Sequence, residues 1–292
     1  MKLRPISLFL VLLFLLCLSA LCAIPEGDNL SNDDGERTGV WILELNDDME
    51  ESYDYEDTDY YGVLTYSDGE IVSTLKVYYL SDNLYFESEV WDTHPIEFDD
   101  GCVTFYNENG SVWRKITYKN NIRNGAAEFY DENGSLLQKG QYVEGASVGE
   151  WEDYYEDGSY GKGMIEDDYK TGLWKYYTSD GIKESEGYWL NGSREGEWLY
   201  YTTEGEINIK GNFKGDAEDG DWTQYFNDDS FGRGRMTAFK KCGEWVFYKA
   251  DGSILMKGNY TDDLQDGLWY QYDAHGKLSL TVKYENGNQV ED

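Results

Sequence analysis

Chemistry in a protein needs nucleophiles, acids and bases, or metal ligands at workable spacing, and this chain offers few. His94 and His275 are its two histidines, far apart in sequence, and His275 sits in Ala274-His275-Gly276, a solvated turn. There is no Ser-His-Asp or Cys-His arrangement, no metalloprotease helix and no glycine-rich phosphate loop. Asp131-Glu132-Asn133-Gly134 resembles the start of a calcium loop, but Tyr142 stands where the twelfth-position glutamate belongs. Two acidic clusters, Asp54, Glu56, Asp57 and Asp59, and Asp216, Glu218, Asp219 and Asp221, could hold cations loosely. The expectation is a chain without catalytic residues, cofactor or dedicated metal site.

What the chain has in abundance is aromatic rings: 27 Tyr, 11 Phe and 10 Trp. They recur on a strict rule. Glycines at 101, 125, 149, 172, 196, 220, 243 and 267 head eight units spaced by 23 or 24 residues. Two places after the head comes Trp151, Trp174, Trp198, Trp222, Trp245 or Trp269, with Val103 and Ala127 in the first two units. Five places after it comes tyrosine: Tyr106 and Tyr130, then Tyr154, Tyr177, Tyr201, Tyr225, Tyr248 and Tyr272. Such rings could stack on sugars or capture quaternary ammonium groups. They could equally be a structural ladder.

The elements that carry them are β-hairpins. Nine places after each head a turn glycine closes, as in Asn109-Gly110 or Asp251-Gly252, with Asp229 as the exception, a residue that tolerates positive φ. A return strand then passes Gly140, Gly187, Gly211 or Gly258 and reaches an aromatic two residues on. Glycine inside a strand costs stability, and here it leaves bare backbone for a neighbouring ring. Tryptophan and tyrosine three apart face opposite sides of a regular strand. Either a bulge puts both on one face, or the sheet is aromatic on both.

A repeat of this length is a supersecondary unit that buries its apolar surface against its neighbours. The fold class is all-β, an elongated single-layer antiparallel meander of β-hairpin repeats. Sixteen strands at about 4.8 Å each give a regular array on the order of 75 Å long. Residues 1–23 have the layout of a signal peptide, with Lys2 and Arg4 before an uncharged apolar run and small residues at Ala20 and Ala23. Cys22 could end a lipoprotein leader, but Leu21 stands where a small residue should precede it, so anchoring is disfavoured. Residues 24–38 read as a linker, 39–100 as degenerate β repeats capping the array, 101–287 as the eight hairpins and 288–292 as a tail. Cys102 and Cys242 are nearly six repeats apart in such an array, which predicts free thiols.

The pattern G-x-W-x-x-Y, turn glycine, G-x-Y and N-G resembles the bacterial variant of the MORN repeat, found in the YwqK-type antitoxin family. The resemblance covers residues 101–287 and implies a twisted sheet of hairpins with an interaction role rather than catalysis. A second resemblance is to choline-binding and glucan-binding wall repeats, whose period is shorter and whose Trp-Tyr-Tyr residues are adjacent.

With 58 acidic against 24 basic side chains the chain carries a formal charge of −34. That field repels nucleic acid and anionic membranes and attracts basic proteins. The expectation is an exported, non-enzymatic repeat scaffold that engages a basic protein partner through an acidic, aromatic-rich sheet surface. The alternative is a cell-surface carbohydrate or choline binder.

Overall fold

The computed structural model describes residues 24–51, 58–93 and 96–290. The leader, His94 and the acidic residues Asp54, Glu56 and Asp57 lie outside them. The described residues form strands joined by turns and no helix, and every strand pairing is antiparallel. Contacts divide the chain into two compact units, Met1–Leu136 and Leu137–Asp292.

In the first unit Arg37–Leu45 pairs with Tyr60–Ser67, which pairs with Leu75–Tyr79, which pairs with Leu84–Ser88. Leu84–Ser88 then pairs with Gly101–Tyr106, the first strand of the regular repeat, followed by Val112–Lys119 and Ile122–Tyr130. The interior is aliphatic and phenylalanyl: Leu43, Leu45, Leu64, Leu75, Val77, Phe86, Val103, Phe105 and Ile116 are all buried. A separate hairpin, Val90–Thr93 with Ile96–Phe98, closes over it. Its Phe98 ring meets those of Phe86, Phe105 and Tyr118 at 5.4, 6.1 and 4.6 Å. Its Thr93 hydroxyl, also buried, shares a 2.9 Å hydrogen bond with Tyr66.

In the second unit the repeat is regular. Forward strands Ala146–Tyr154, Tyr169–Tyr177, Ser193–Tyr201, Ala217–Tyr225, Lys240–Tyr248 and Leu264–Tyr272 alternate with return strands such as Tyr160–Glu166, Lys183–Leu190 and Ile207–Lys214. The six tryptophans of the forward strands are at most 3% exposed. Each ring lies flat on the glycine of the preceding return strand. A Cβ built on Gly140, Gly187 or Gly211 would stand 2.1 Å from the ring of Trp151, Trp198 or Trp222, and on Gly163, Gly234 or Gly258 within 2.5 Å of Trp174, Trp245 or Trp269. Only glycine leaves space for an indole at that height.

The turns use the acid residues. In the first turn of a unit an aspartate accepts backbone N–H groups two to four residues on, as Asp131 does from Asn133 and Ser135 at 2.9 and 2.8 Å. In the second turn an aspartate reaches back into the previous unit: Asp216 accepts from the Arg194 N–H at 2.9 Å and Asp263 from that of Lys241 at 2.8 Å. Positive φ at Asp167, Asp168, Asp262 and Asp263 marks these tight returns. Asp229, the one departure from turn glycine, has φ of 63°. Much of the acidity is therefore turn chemistry.

Candidate interaction surface

The sheet of the second unit is aromatic on both faces. On the first face Trp174, Trp198 and Trp245 are joined by the ring two residues on, and rings continue between units: Trp174 and Tyr176 lie 6.2 Å apart, Tyr176 and Trp198 5.9 Å, Trp198 and Tyr200 6.2 Å, and Tyr200 and Trp222 6.2 Å. Burial pushes the Tyr200 phenol up to about 12 and the Tyr176 phenol higher still. In three of the six units a cation two places before the head closes the row from above, and Ser147 and Gln265 hold that place beside Trp151 and Trp269. Lys170 Nζ sits 4.0 Å from the Trp174 ring centre and 2.7 Å from Asp153, and the Arg194 guanidinium sits 4.0 Å from the Phe213 ring and 3.1 Å from Asp216. Lys241 lies 5.2 Å from Trp245, and desolvation lowers its pKa. In the Trp222 unit that place is Glu218. Its carboxylate instead accepts the Phe239 N–H at 2.9 Å, and the Phe239 ring lies 5.9 Å from Trp222.

Most indole N–H groups are also spent. Trp174, Trp198, Trp245 and Trp269 donate to the backbone carbonyls of Met164, Tyr188, Arg235 and Asn259 at 2.9–3.2 Å. Trp151 donates to Val148. The tryptophan ladder is thus the core of its unit, with no ring face left for a ligand.

The second face is open. Tyr154, Tyr177, Tyr201, Tyr225, Tyr248 and Tyr272 lie there, all half-buried, and several stack: Tyr160 on Tyr177 at 4.9 Å, and Phe231 on Tyr248 at 4.8 Å. Beside them runs a central row that the strand register builds from Lys139, Glu152, Lys162, Lys175, Glu186, Leu199 and Lys210, onward to Lys257. Both of its glutamates are paired, one within the row and one with a flanking lysine. Lys139 meets Glu152 at 3.0 Å, Lys183 meets Glu186 at 3.0 Å, and Tyr154 and Tyr201 donate their hydroxyls to those same two glutamates. Lys183 lies 4.0 Å over Tyr201, and Lys162 5.5 Å over Tyr177. Hydrogen bonds from tyrosine and lysine hold the Glu152 carboxyl below the usual range, and the same kind of bond raises Lys139.

The remaining sequence candidates are not brought together into a site. His275 is exposed in its turn, where its N–H donates to Asp273. Asp216 and Glu218 are engaged by Arg194 and by the Phe239 N–H, and among the described residues no group of three or more His, Cys, Asp or Glu is placed to hold a metal ion. Cys102 is exposed, Cys242 half-buried, and both are free thiols.

The family model of the MORN repeat variant matches four segments, residues 99–120, 123–144, 194–214 and 265–288. The repeat is a MORN repeat variant. No curated protein matches the chain. The matched segment 194–214 spans the MORN strand Ser193–Tyr201, its turn and the return strand Ile207–Lys214. The units on either side repeat its joint of glycine under tryptophan without falling inside a match. MORN repeats are in general not enzymes.

Two features of this surface escaped the sequence reading. The cation before the head was visible at Lys170, Arg194 and Lys241, but its role depends on the second turn folding back. The charge pairing of the open face follows from register, which the period alone does not fix.

Proposed function

We propose that the chain is an exported, non-enzymatic MORN repeat scaffold that binds a basic protein partner through the open face of its sheet and the acidic turns beside it. The carrying observation is the asymmetry of the two faces. One is filled by the tryptophans, their tyrosine neighbours and the covering cations. The other keeps its rings half-exposed between turns rich in carboxylates. The net charge of −34 favours encounter with a basic partner, and the layout of residues 1–23 supports export.

The half-exposed tyrosine row favours a glycan as the second reading. Choline capture fits less well, because Lys183 and Lys162 already occupy the positions over Tyr201 and Tyr177 that a quaternary ammonium would take. Salt separates the two readings. The immobilised protein should retain a basic partner at low ionic strength and release it as salt rises. Retention indifferent to salt, and competed by soluble sugar, would replace the protein reading with the glycan one.

A further inference from the structure

The repeat supplies its own control for finding a binding site, since eight copies show what each position carries when it serves the fold alone. On the open face, one position of the return strand is Thr117, Gln141, Asn212, Arg235, Asn259 or Lys283 in six units, but Met164 and Tyr188 in the third and fourth. The position after the head is Glu150, Glu197, Asp221 or Glu244 in four units and Cys102 or Ala126 in two, and it is leucine in two, Leu173 in the fourth and Leu268 in the last. The position that ends the return strand is charged or a threonine in six units, but Val143 in the second and Leu190 in the fourth. Three places before the head, where other units carry small, polar or aliphatic residues such as Ala146, Ser193, Lys240, Ile122 and Leu264, stands the larger Tyr169.

These departures fall together. Leu173 is directly opposite Tyr188, and Met164 stands on the next strand opposite Thr171. Met164, Tyr169, Leu173, Tyr188 and Leu190 are 47, 58, 38, 54 and 56% exposed, and they occupy three adjacent strands. Met164, Leu173 and Tyr188 lie outside the core of these units, which is Trp174 and Trp198 on the opposite face, while Tyr169 also lies against the turn glycine Gly192. Exposed apolar side chains grouped in this way mark an interaction surface.

The frame of the patch is acidic. In register, Glu150 lies opposite Met164, Glu166 opposite Tyr169, and Glu195 opposite Tyr188. A shallow cleft of about 510 Å³ at its edge is lined by Glu166, Asp167, Tyr169, Thr171 and Asn191. Among the described residues Glu150, Glu166 and Asp167 take part in no ion pair, unlike the glutamates of the central row. Apolar anchors inside unpaired carboxylates complement a segment that is apolar on one side and basic on the other. A second copy of this chain, at −34, brings the wrong charge.

We propose that Met164, Tyr169, Leu173, Tyr188 and Leu190 form the docking site for an amphipathic basic segment of the partner, its apolar side chains on the patch and its lysines or arginines on Glu150, Glu166 and Asp167. The assignment rests on the scaffold reading and places its contact. The test uses a fluorescein-labelled twelve-residue peptide alternating leucine and lysine, with a leucine–glutamate peptide and oligolysine as comparisons. Variants take residues the repeat already tolerates: Leu173→Glu with Tyr188→Asn in the patch, and Leu268→Glu at the equivalent of Leu173 in the last unit. Circular dichroism checks that each folds as the parent does.

The parent should bind the leucine–lysine peptide at least tenfold more tightly than either comparison peptide. The patch variant should lose at least tenfold, and Leu268→Glu should bind as the parent does. Equal binding by parent and patch variant, equally tight oligolysine binding, or patch-dependent self-association in sedimentation would overturn the assignment. If patch substitutions leave capture of a basic partner intact, the site is wrong and the scaffold reading stands. A parent that retains no basic partner at low salt removes the scaffold reading itself.

Discussion

In Met1–Leu136 the buried row that crosses the regular strands is Val103, Ile116 and Ala127, and a separate hairpin lays Phe98 beside it. In Leu137–Asp292 the corresponding row is glycine and tryptophan in alternation, roofed by the unit's own lysines and arginines. Volume is exchanged across the joint: isoleucine faces alanine in one unit, and glycine faces tryptophan in the other. Close packing demands that sum rather than any one residue type. The difference also decides what covers the core. Aliphatic side chains are too short to shield one another on a single sheet and call for an added hairpin, whereas flat indoles cover their neighbours' backbone and need only side chains of their own repeats, such as Lys170 and Arg194, above them.

The largest expected effect is at the tryptophans. Trp198→Ala removes a ring lodged between Gly187 and Phe213 and should cost about 3–5 kcal/mol in urea unfolding. Trp269→Ala, with fewer ring neighbours, should cost less. Equal losses at the two sites would mean that the joints do not act independently. Next comes the bed under the ring. Gly187→Ala should cost about 1–3 kcal/mol through overpacking, more than Ile116→Val in the first unit, at about 0.5–1.5 kcal/mol.

The comparison is sharpened by building one joint into the other. Gly187→Ile combined with Trp198→Ala recreates the isoleucine–alanine pair inside the tryptophan unit. The double variant should be less destabilised than the two single changes summed, by about 0.5–3 kcal/mol. Strict additivity would refute volume exchange.

The smallest effect should not distinguish the units at all. Hydrogen bonds from the turn hold the carboxyls of Asp131 in the first unit, and Asp157 and Asp251 in the second, below their unfolded value of about 3.9. A depressed carboxyl contributes stability that is fully present above the unfolded pKa and is lost as pH falls through the folded one. The urea midpoint should therefore be flat above about pH 5 and decline below about pH 4. Asp131→Asn and Asp251→Asn should flatten that decline to similar, small extents.

Much of this was legible in the sequence. The period, the hairpins, the turn residues including Asp229 and the ring over bare backbone all follow from spacing, because each is a local demand repeated eight times. Which face Tyr177 shares with Trp174 was not legible. It turns on whether an irregularity falls between them: the strand shifts register at Gly172, φ +65°, before Trp174, and runs regularly through Tyr177, and a glycine in a sequence does not announce whether it bulges. Knowing that Tyr177 faces away from Trp174 is what divides the molecule into core and open face. The apolar patch was present as a signal, since Met164 and Tyr188 break a polar column. It lies in positions that vary between repeats, where a period carries no information.

The glycine bed under each indole also bears on how such a chain can change length. Every unit from the third to the seventh carries a ring on its forward strand and an empty bed on its return strand. Duplicating any of them would insert a new unit with both halves of the joint already matched. Val282 stands where a bed would be in the last return strand, opposite Trp269 and nearly buried, and a further indole would meet two methyl groups instead of bare backbone. At the other side Ile116 meets Ala127 and would reject a tryptophan for the same reason. The packing therefore accepts a change in the number of units in the interior and resists one beside Val282 or Ile116.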